Sequence, residues 1–573
     1  MRARACLSTP SSARTQPFEE VSAVEQRETS CRKFLSKAAA VTTIGAIAIP
    51  LGLTQNPPTP VPPPSVCSSN VNVLSLLPSL PGSPANPTED GDTQYLNAFI
   101  NNTESSLLQE VSSASSLGQA QQVHLIGKLF IYDKTISPSE NIACATCHAP
   151  YAGFTGGTNI LNATTVAQPG GTPITNAVPP EPNVRFSGRK PLSYAYAAFS
   201  PILHYNATQA DFYGGNFWDM RATGNRIGNP AAEQAQGPPV NPVEIGDPDP
   251  ACVVWKVSQG GYSSLIDSVY GAQSFAINWP SNVATVCATP AGASQATNPY
   301  PLQLSAVDRG TANSTFDHIT LAVASYEASS EVSSFSSKFD SWLAGNAQLT
   351  SQEQQGYELF NGKAHCNQCH LSGNAINSVS LEPADLAPMF TDFGTGNIGT
   401  PKNLAMPFYC ETRPDQFGYI ANPQGFSYLD YGVGAMLSSP TLDPDLQQWG
   451  SLAPLFNGKF LVPTLRNVDM RPRADFTKDY THNGYFKSLK EIVHFYNTSQ
   501  SLPHCAQGSK GEKVTCWPAP EVPQNVTTLI GNLGLTDDEE NDLVAFLQTL
   551  TDGFVTAPAA AVQKRPTVQL NDR

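Results

Sequence analysis

The sequence predicts a mainly α fold: two helical units of similar construction, rich in long loops, behind an export segment and a proline-rich linker. Three observations carry this. The pentapeptide Cys144-Ala145-Thr146-Cys147-His148 returns as Cys366-Asn367-Gln368-Cys369-His370. Related strings precede the two copies, GKLFIYDK before the first and GYELFNGK before the second, which reads as an internal duplication of a small helical unit. Pro (49) and Gly (42) are plentiful while charged residues make up only 14%, a composition that suits short helices joined by irregular loops.

Residues 1–55 stand ahead of the fold. Arg32-Lys33 and Phe34-Leu35 lead into an apolar stretch from Ala38 to Leu53, the basic and hydrophobic regions of an export signal. The stretch is short for a membrane span, and an uncleaved anchor is the alternative. The string SCRKFLSK lacks the second arginine of a twin-arginine signal. Residues 56–91, rich in Pro and Ser, read as an extended linker.

The first unit spans residues 92–345. In it, Gln119–Tyr132 has helical spacing and leads toward Cys144, short helices such as Val253–Tyr270 alternate with loops, and His318–Val332 reads as the closing helix. The second unit spans residues 346–556. Ser351–Phe360 is its entering helix. Ser488–Tyr496 follows, with Leu489, Ile492, Val493 and Tyr496 on one side. Thr536 reads as an N-cap ahead of an acidic turn, opening a helix over Glu540–Leu550. Residues 557–573 are expected to be a disordered tail.

The formal net charge of −15 disfavours nucleic acid as a partner and is compatible with a basic redox protein. Of the 12 cysteines, four belong to the pentapeptides, and Cys6 and Cys31 lie in the leader. Cys67, Cys252, Cys287, Cys410, Cys505 and Cys516 remain. An even remainder in an exported chain suggests disulfides. Cys252 with Cys287 and Cys505 with Cys516 are paired by proximity; free buried thiols are the alternative.

Two cysteines separated by two residues and followed by histidine form the spacing for covalent attachment of a c-type haem. Each thiol adds to a vinyl group, and the histidine becomes an axial ligand. A zinc site or redox dithiol is the alternative for one copy; two copies that both end in His point to two covalently bound c-type haems.

Several longer strings then carry a resemblance. ENIACATCHAPYAGFTGG, NFWDMRATG, AAEQAQGPPVNPVEIG, LTSQEQQGYELFNGKAHCNQCH, MFTDFGTGNIGTPKN, VPTLRNVDM and YTHNGYFKSLKEIVHFYNT occur in that order. Together with the last helix, they resemble the bacterial dihaem cytochrome c peroxidases and their MauG-type relatives over most of residues 115–555. The resemblance implies two cytochrome c-like helical domains with an interface between the haems.

It also implies roles. The N-terminal haem, held by Cys144, Cys147 and His148, is the family's peroxidatic one. Many members carry a second histidine soon after the motif. Here none stands between His148 and His204, so the first iron is expected to have an open face, and His204 reads as a partly buried, hydrogen-bonded side chain. Glu244 matches the catalytic glutamate, suited to moving a proton between the two oxygens of peroxide, and Gln234 the distal glutamine. Without the family, Glu244 is one acid among 47.

Trp218 matches the tryptophan between the haems. The second haem, held by Cys366, Cys369 and His370, relays electrons. Tyr496 stands where peroxidases place Met and MauG-like relatives place Tyr; Met389, Met406, Met436 and Met470 are rival ligands. A calcium ion between the haems is implied as well. The family's asparagine after a Gly-Arg pair is replaced by Lys190, however, and Arg471–Lys478 are extra residues, so its ligands find no placement.

Three functions follow as expectations. The first is a periplasmic peroxidase reducing hydrogen peroxide with electrons from a small cytochrome or cupredoxin. The second is a MauG-like enzyme oxidising a side chain of a partner protein. The third is an electron-transfer cytochrome with both irons capped and no use for Glu244.

Overall fold

The computed structural model describes residues 89–169, 184–373, 387–439 and 444–555. The expected export segment, most of the expected linker and the expected tail lie outside them. The described residues all fall in one compact unit, Pro62–Arg573.

The helices, in chain order, are α1 Glu89–Val111, α2 Gln119–Tyr132, α3 Cys144–Cys147, α4 Asn159–Ala163, α5 Pro230–Val240, α6 Pro250–Gln259, α7 Ser263–Tyr270 and α8 Val283–Cys287. They continue as α9 Ala306–Glu327, α10 Lys338–Leu343, α11 Ser351–Asn361, α12 Val433–Leu437, α13 Leu489–Thr498 and α14 Asp537–Gln548. Three short antiparallel pairs complete the secondary structure: β1 Val166–Ala167 with β2 Arg185–Phe186, β3 His204–Asn206 with β4 Asp211–Tyr213, and β5 Thr395–Gly396 with β6 Phe460–Leu461. The mainly α prediction therefore holds.

Several helices depart from expectation for local reasons. α1 begins inside the segment read as linker, and Leu96, Ile100 and Leu107 are buried along it. The stretch Val253–Tyr270 is two helices parted at Gly260-Gly261. α9 starts twelve residues earlier than expected, because the Ser305 side chain accepts the Asp308 N–H and caps it there. α14 takes in the acidic turn itself: Thr536 Oγ1 accepts the Glu539 N–H (3.2 Å) and Glu539 returns the bond to the Thr536 N–H (2.8 Å), a complete capping box.

Two hydrophobic cores account for most of the packing. One runs from Leu96 to Val332 and is joined by Met389, Met406, Phe408 and Tyr409. The other runs from Phe339 to Leu550. We place the boundary between the halves just ahead of α10, because Phe339 is fully buried among the aromatics of the second core, with Phe390 and Phe546 as edge-on neighbours. A third, smaller core joins the β3–β4 hairpin to α12 and Phe456.

The duplication is visible in how the helices cross. α2 packs on α9, and α11 packs on α14. Both crossings occur at a glycine. A Cβ on Gly127 would run into the Ala322 carbonyl, and one on Gly356 into the Asp542 carbonyl. These are the glycines that open the paired strings GKLF and GYELF. Disulfides Cys252–Cys287 and Cys505–Cys516 form as paired above, the first joining α6 to α8; Cys410 is disulfide-bonded too.

Gly127→Ala and Gly356→Ala should each push a helix pair apart. The expected loss is about 1–3 kcal/mol per site, read as a lower thermal midpoint of the matured protein. An unchanged midpoint would mean that the crossings have room to spare.

Candidate functional site

Each motif is a single tight turn closed by the N–H of its histidine. In the first, the His148 N–H donates to the Cys144 carbonyl (3.1 Å); in the second, the His370 N–H donates to that of Cys366 (2.9 Å). Among the described residues the four motif cysteines are the free thiols.

Both imidazoles are fixed in the same way. His148 Nδ1 donates to the Phe154 carbonyl (2.9 Å) and His370 Nδ1 to the Phe390 carbonyl (3.0 Å). A carbonyl only accepts, so the proton sits on Nδ1 and the lone pair on Nε2. Both phenylalanines hold positive φ, 58° at Phe154 and 52° at Phe390. That conformation is unfavourable for a bulky residue, and it turns each carbonyl toward its ring. Burial pulls both histidines down to about 4, against which the accepting carbonyls raise them. Both rings are therefore neutral at physiological pH, the form that ligates a metal.

Beside the second motif lies a cavity of about 640 Å³, lined by His370, both of its thiols and apolar side chains such as Phe360, Leu465, Ile492 and Val493. Its size and lining suit a flat, porphyrin-sized group. Tyr496 lines this cavity, whereas Met389, Met406, Met436 and Met470 do not. Met389 and Met406 are packed in the first core and Met436 in the third. Burial pushes the Tyr496 hydroxyl's pKa up, and the Cys369 and Cys366 thiols add to the shift. The free thiols and oriented imidazoles fit a c-type haem at each motif. Cys144, Cys147 and His148 would hold one, and Cys366, Cys369 and His370 the other.

Glu244 reaches the first motif from a turn that folds back on the end of α5. The α5 carbonyls of Pro238 and Pro239, left without helical partners, accept the N–H groups of Asn241 (3.2 Å), Ile245 (3.2 Å) and Asp247 (2.8 Å). Burial raises the pKa of both Cys144 and Cys147, and that return brings the Glu244 charge close enough to add to both shifts. Glu244 is itself shifted upward by burial, opposed by Arg221 and by a hydrogen bond from Asn241 Nδ2 to Oε1 (2.6 Å). Gln234 lies on α5, so helix and turn together carry both residues.

Trp218 is buried; its Nε1 donates to the Lys190 carbonyl (3.0 Å), and its indole lines the second motif's cavity. The ring lies edge-on to His482 at 6.4 Å, and His482 stacks on Phe460 at 3.7 Å. His482 was not singled out from the sequence; its place in YTHNGYF was the available signal. His204 is half-buried on β3, with Nδ1 bonded to the Ile202 carbonyl (3.0 Å).

The calcium ion that the resemblance implies finds no ligand set here either. The position after Gly188-Arg189 carries the Lys190 ammonium, and the neighbouring carbonyls of Ala152, Asn467 and Met470 accept from Lys478 Nζ. These residues do not fit a calcium ion.

The chain is similar to known proteins. Residues 120–348 match the family model described as di-haem cytochrome c peroxidase. The methylamine utilization protein MauG of Paracoccus denitrificans is 28% identical over 430 residues, 74% of this chain and 88% of that protein. The cytochrome-c peroxidase IdrP1 of Denitromonas iodatirespirans is 28% identical over 235 residues, covering 40% of this chain and 48% of its own length. The crystal structure of the diheme peroxidase BthA from Burkholderia thailandensis superposes with a TM-score of 0.51 at 24% identity, over 75% of this chain and 86% of that one, a likeness of fold. With relatives of both the peroxidase and the MauG type, this chain is similar to the dihaem cytochrome c peroxidases and MauG proteins, a likeness that implies two c-type haems.

Proposed function

We propose that the protein is a dihaem c-type peroxidase reducing hydrogen peroxide at the N-terminal haem, with electrons relayed through the C-terminal one. The overall reaction consumes two electrons and two protons per peroxide and releases two waters. The observation that carries this reading is Glu244. It is a carboxylate beside the first motif, positioned by Asn241 and raised in pKa by burial. A carboxyl group nearer neutrality both accepts and returns a proton readily.

The haem iron supplies the redox centre at which the O–O bond is broken. The chain supplies the proton handling and the orientation. Glu244 takes the proton from one peroxide oxygen and delivers it to the departing one. Gln234 offers an amide to orient the peroxide. Asn241 holds the carboxylate in place. Trp218 offers an oxidisable ring that shortens electron transfer between the motifs, and Tyr496 would be a ligand to the second haem.

The electrons come from a redox protein, for which a small cytochrome or cupredoxin is suitable, and the setting is the periplasm. Among the described residues no helix is long and apolar enough to cross a membrane. Tyr496 in the cavity supports a second reading, MauG-like oxidation of a partner's side chain. Turnover with reduced cytochrome c, compared with mass change in co-expressed partners, separates the two.

Glu244→Gln should lower peroxide turnover by about 100-fold or more with both haems still attached; unchanged turnover would remove Glu244 from the mechanism. The pH profile gives an independent check. The Asn241 amide favours the Glu244 anion, so Asn241→Ala should raise the carboxyl pKa further. The acidic limb of peroxide turnover should then move to higher pH, and a limb that stays or moves down contradicts the assignment.

Tyr496→Phe should remove the second haem's resting low-spin signal. A resting spectrum identical to that of the unaltered protein would exclude Tyr496 as ligand.

A further inference from the structure

Two lysines are buried in the second motif's cavity, which the turn after the first motif also lines at Gly153 and Thr155. Lys478 is 5% exposed and Lys190 7%, and both line the cavity that holds His370 and Trp218. Lys478 Nζ donates to the carbonyls of Ala152 (3.1 Å), Asn467 (3.2 Å) and Met470 (2.6 Å). Ala152 stands four residues after His148. Asn467 is tied to the end of the second core: its N–H donates to the Leu550 carbonyl (3.0 Å), and its side chain exchanges hydrogen bonds with Asp552. The three oxygens thus bring together the turn behind the first histidine and the closing segment of the second half.

A cage of converging carbonyl oxygens is a cation site, since each can only accept. The three N–H groups of one ammonium satisfy the three carbonyls one for one. Burial and the neighbouring Lys190 ammonium pull the Lys478 pKa well down; the three carbonyl oxygens at hydrogen-bond distance oppose this by favouring the protonated form. Lys190 stands beside this cage, on the residue where the family's calcium-binding asparagine is expected. Its N–H donates to the His482 carbonyl (2.8 Å) and its Nζ to that of Pro191 (3.2 Å). Asp479, paired with Lys487 at 2.7 Å, is the carboxylate that favours the Lys190 charge.

We propose that Lys478, with Lys190 beside it, is the resident cation of this space and replaces calcium. The chain then carries covalently the positive charge that fastens the His148 turn to the second half. Lys478 is on this view a positioning residue: it acts through the Ala152 and Asn467 turns and touches no reacting atom. Unlike a bound ion, it cannot be removed by chelation or dilution.

The test uses the matured dihaem protein, dialysed in parallel against EDTA and against calcium, with metal analysis, resting absorption spectrum and thermal midpoint recorded for each. The expected result is no stoichiometric calcium in either sample and the same spectrum and midpoint in both. Stoichiometric calcium, or a spectrum that changes on chelation, overturns the proposal.

Lys478→Met fills the volume without the charge. It should keep both haems by mass yet shift the balance of high-spin to low-spin signal at rest; a spectrum identical to the unaltered protein's overturns the positioning role. Should this variant fail to mature, the chelation comparison decides alone. Neither readout depends on peroxide turnover, so the outcome is separate from that of the peroxidase reading.

Discussion

The hydrogen bond from a motif histidine to a phenylalanine carbonyl is the interaction on which the site depends. It fixes ring plane and tautomer together, and leaves one nitrogen with a lone pair. In both halves the bond needs a backbone turned to positive φ at the phenylalanine, which the surrounding bonds enforce. After Phe154, the Thr155 hydroxyl donates to the Ala152 carbonyl (3.0 Å), and the Thr155 carbonyl accepts the Ala149 N–H (2.8 Å). After Phe390, the Thr391 hydroxyl donates to the Val462 carbonyl (2.6 Å). A Phe-Thr pair does the same work twice, reached by different lengths of chain.

Around these turns the two halves share a helix crossing and differ in their loops. Each crossing closes at a glycine because only the missing Cβ lets one helix backbone approach another so closely. The loops between the helices distinguish the halves. In the first half, α5 and its returning turn bring a carboxylate to the motif thiols, with Arg221 and Asn241 restraining its charge. In the second, the chain builds an apolar cavity with a tyrosine in it. The same scaffold thereby carries a carboxylate near one motif and a tyrosine in the cavity at the other, the asymmetry on which the proposed peroxidase reading rests.

Much of this was legible in the chain itself. The repeated pentapeptide declares covalent haem from spacing alone, and α2, α11 and α13 follow from periodicity over apolar stretches. Cys252–Cys287 and Cys505–Cys516 were legible because their partners are close in sequence, where loop closure costs little. The start of α9 was missed because an N-cap serine, Ser305, overrides a polar run that periodicity alone would leave as loop. His482 and the Lys478 cage were missed because their neighbours lie far away along the chain or are backbone carbonyls, which leave no trace in residue identity.

The sequence by itself determined the two attachment turns, their histidines, the helical class and the duplicated order of elements, since all of these rest on contacts within a few residues. Only the tertiary structure decided the rest. It placed Tyr496 rather than a methionine in the second cavity, brought the Glu244 charge to the Cys144 and Cys147 thiols, and set a lysine ammonium among three carbonyls. Each of those depends on segments tens to hundreds of residues apart. Burial and convergence, which set the electrostatics of such groups, exist only once the chain has closed around them.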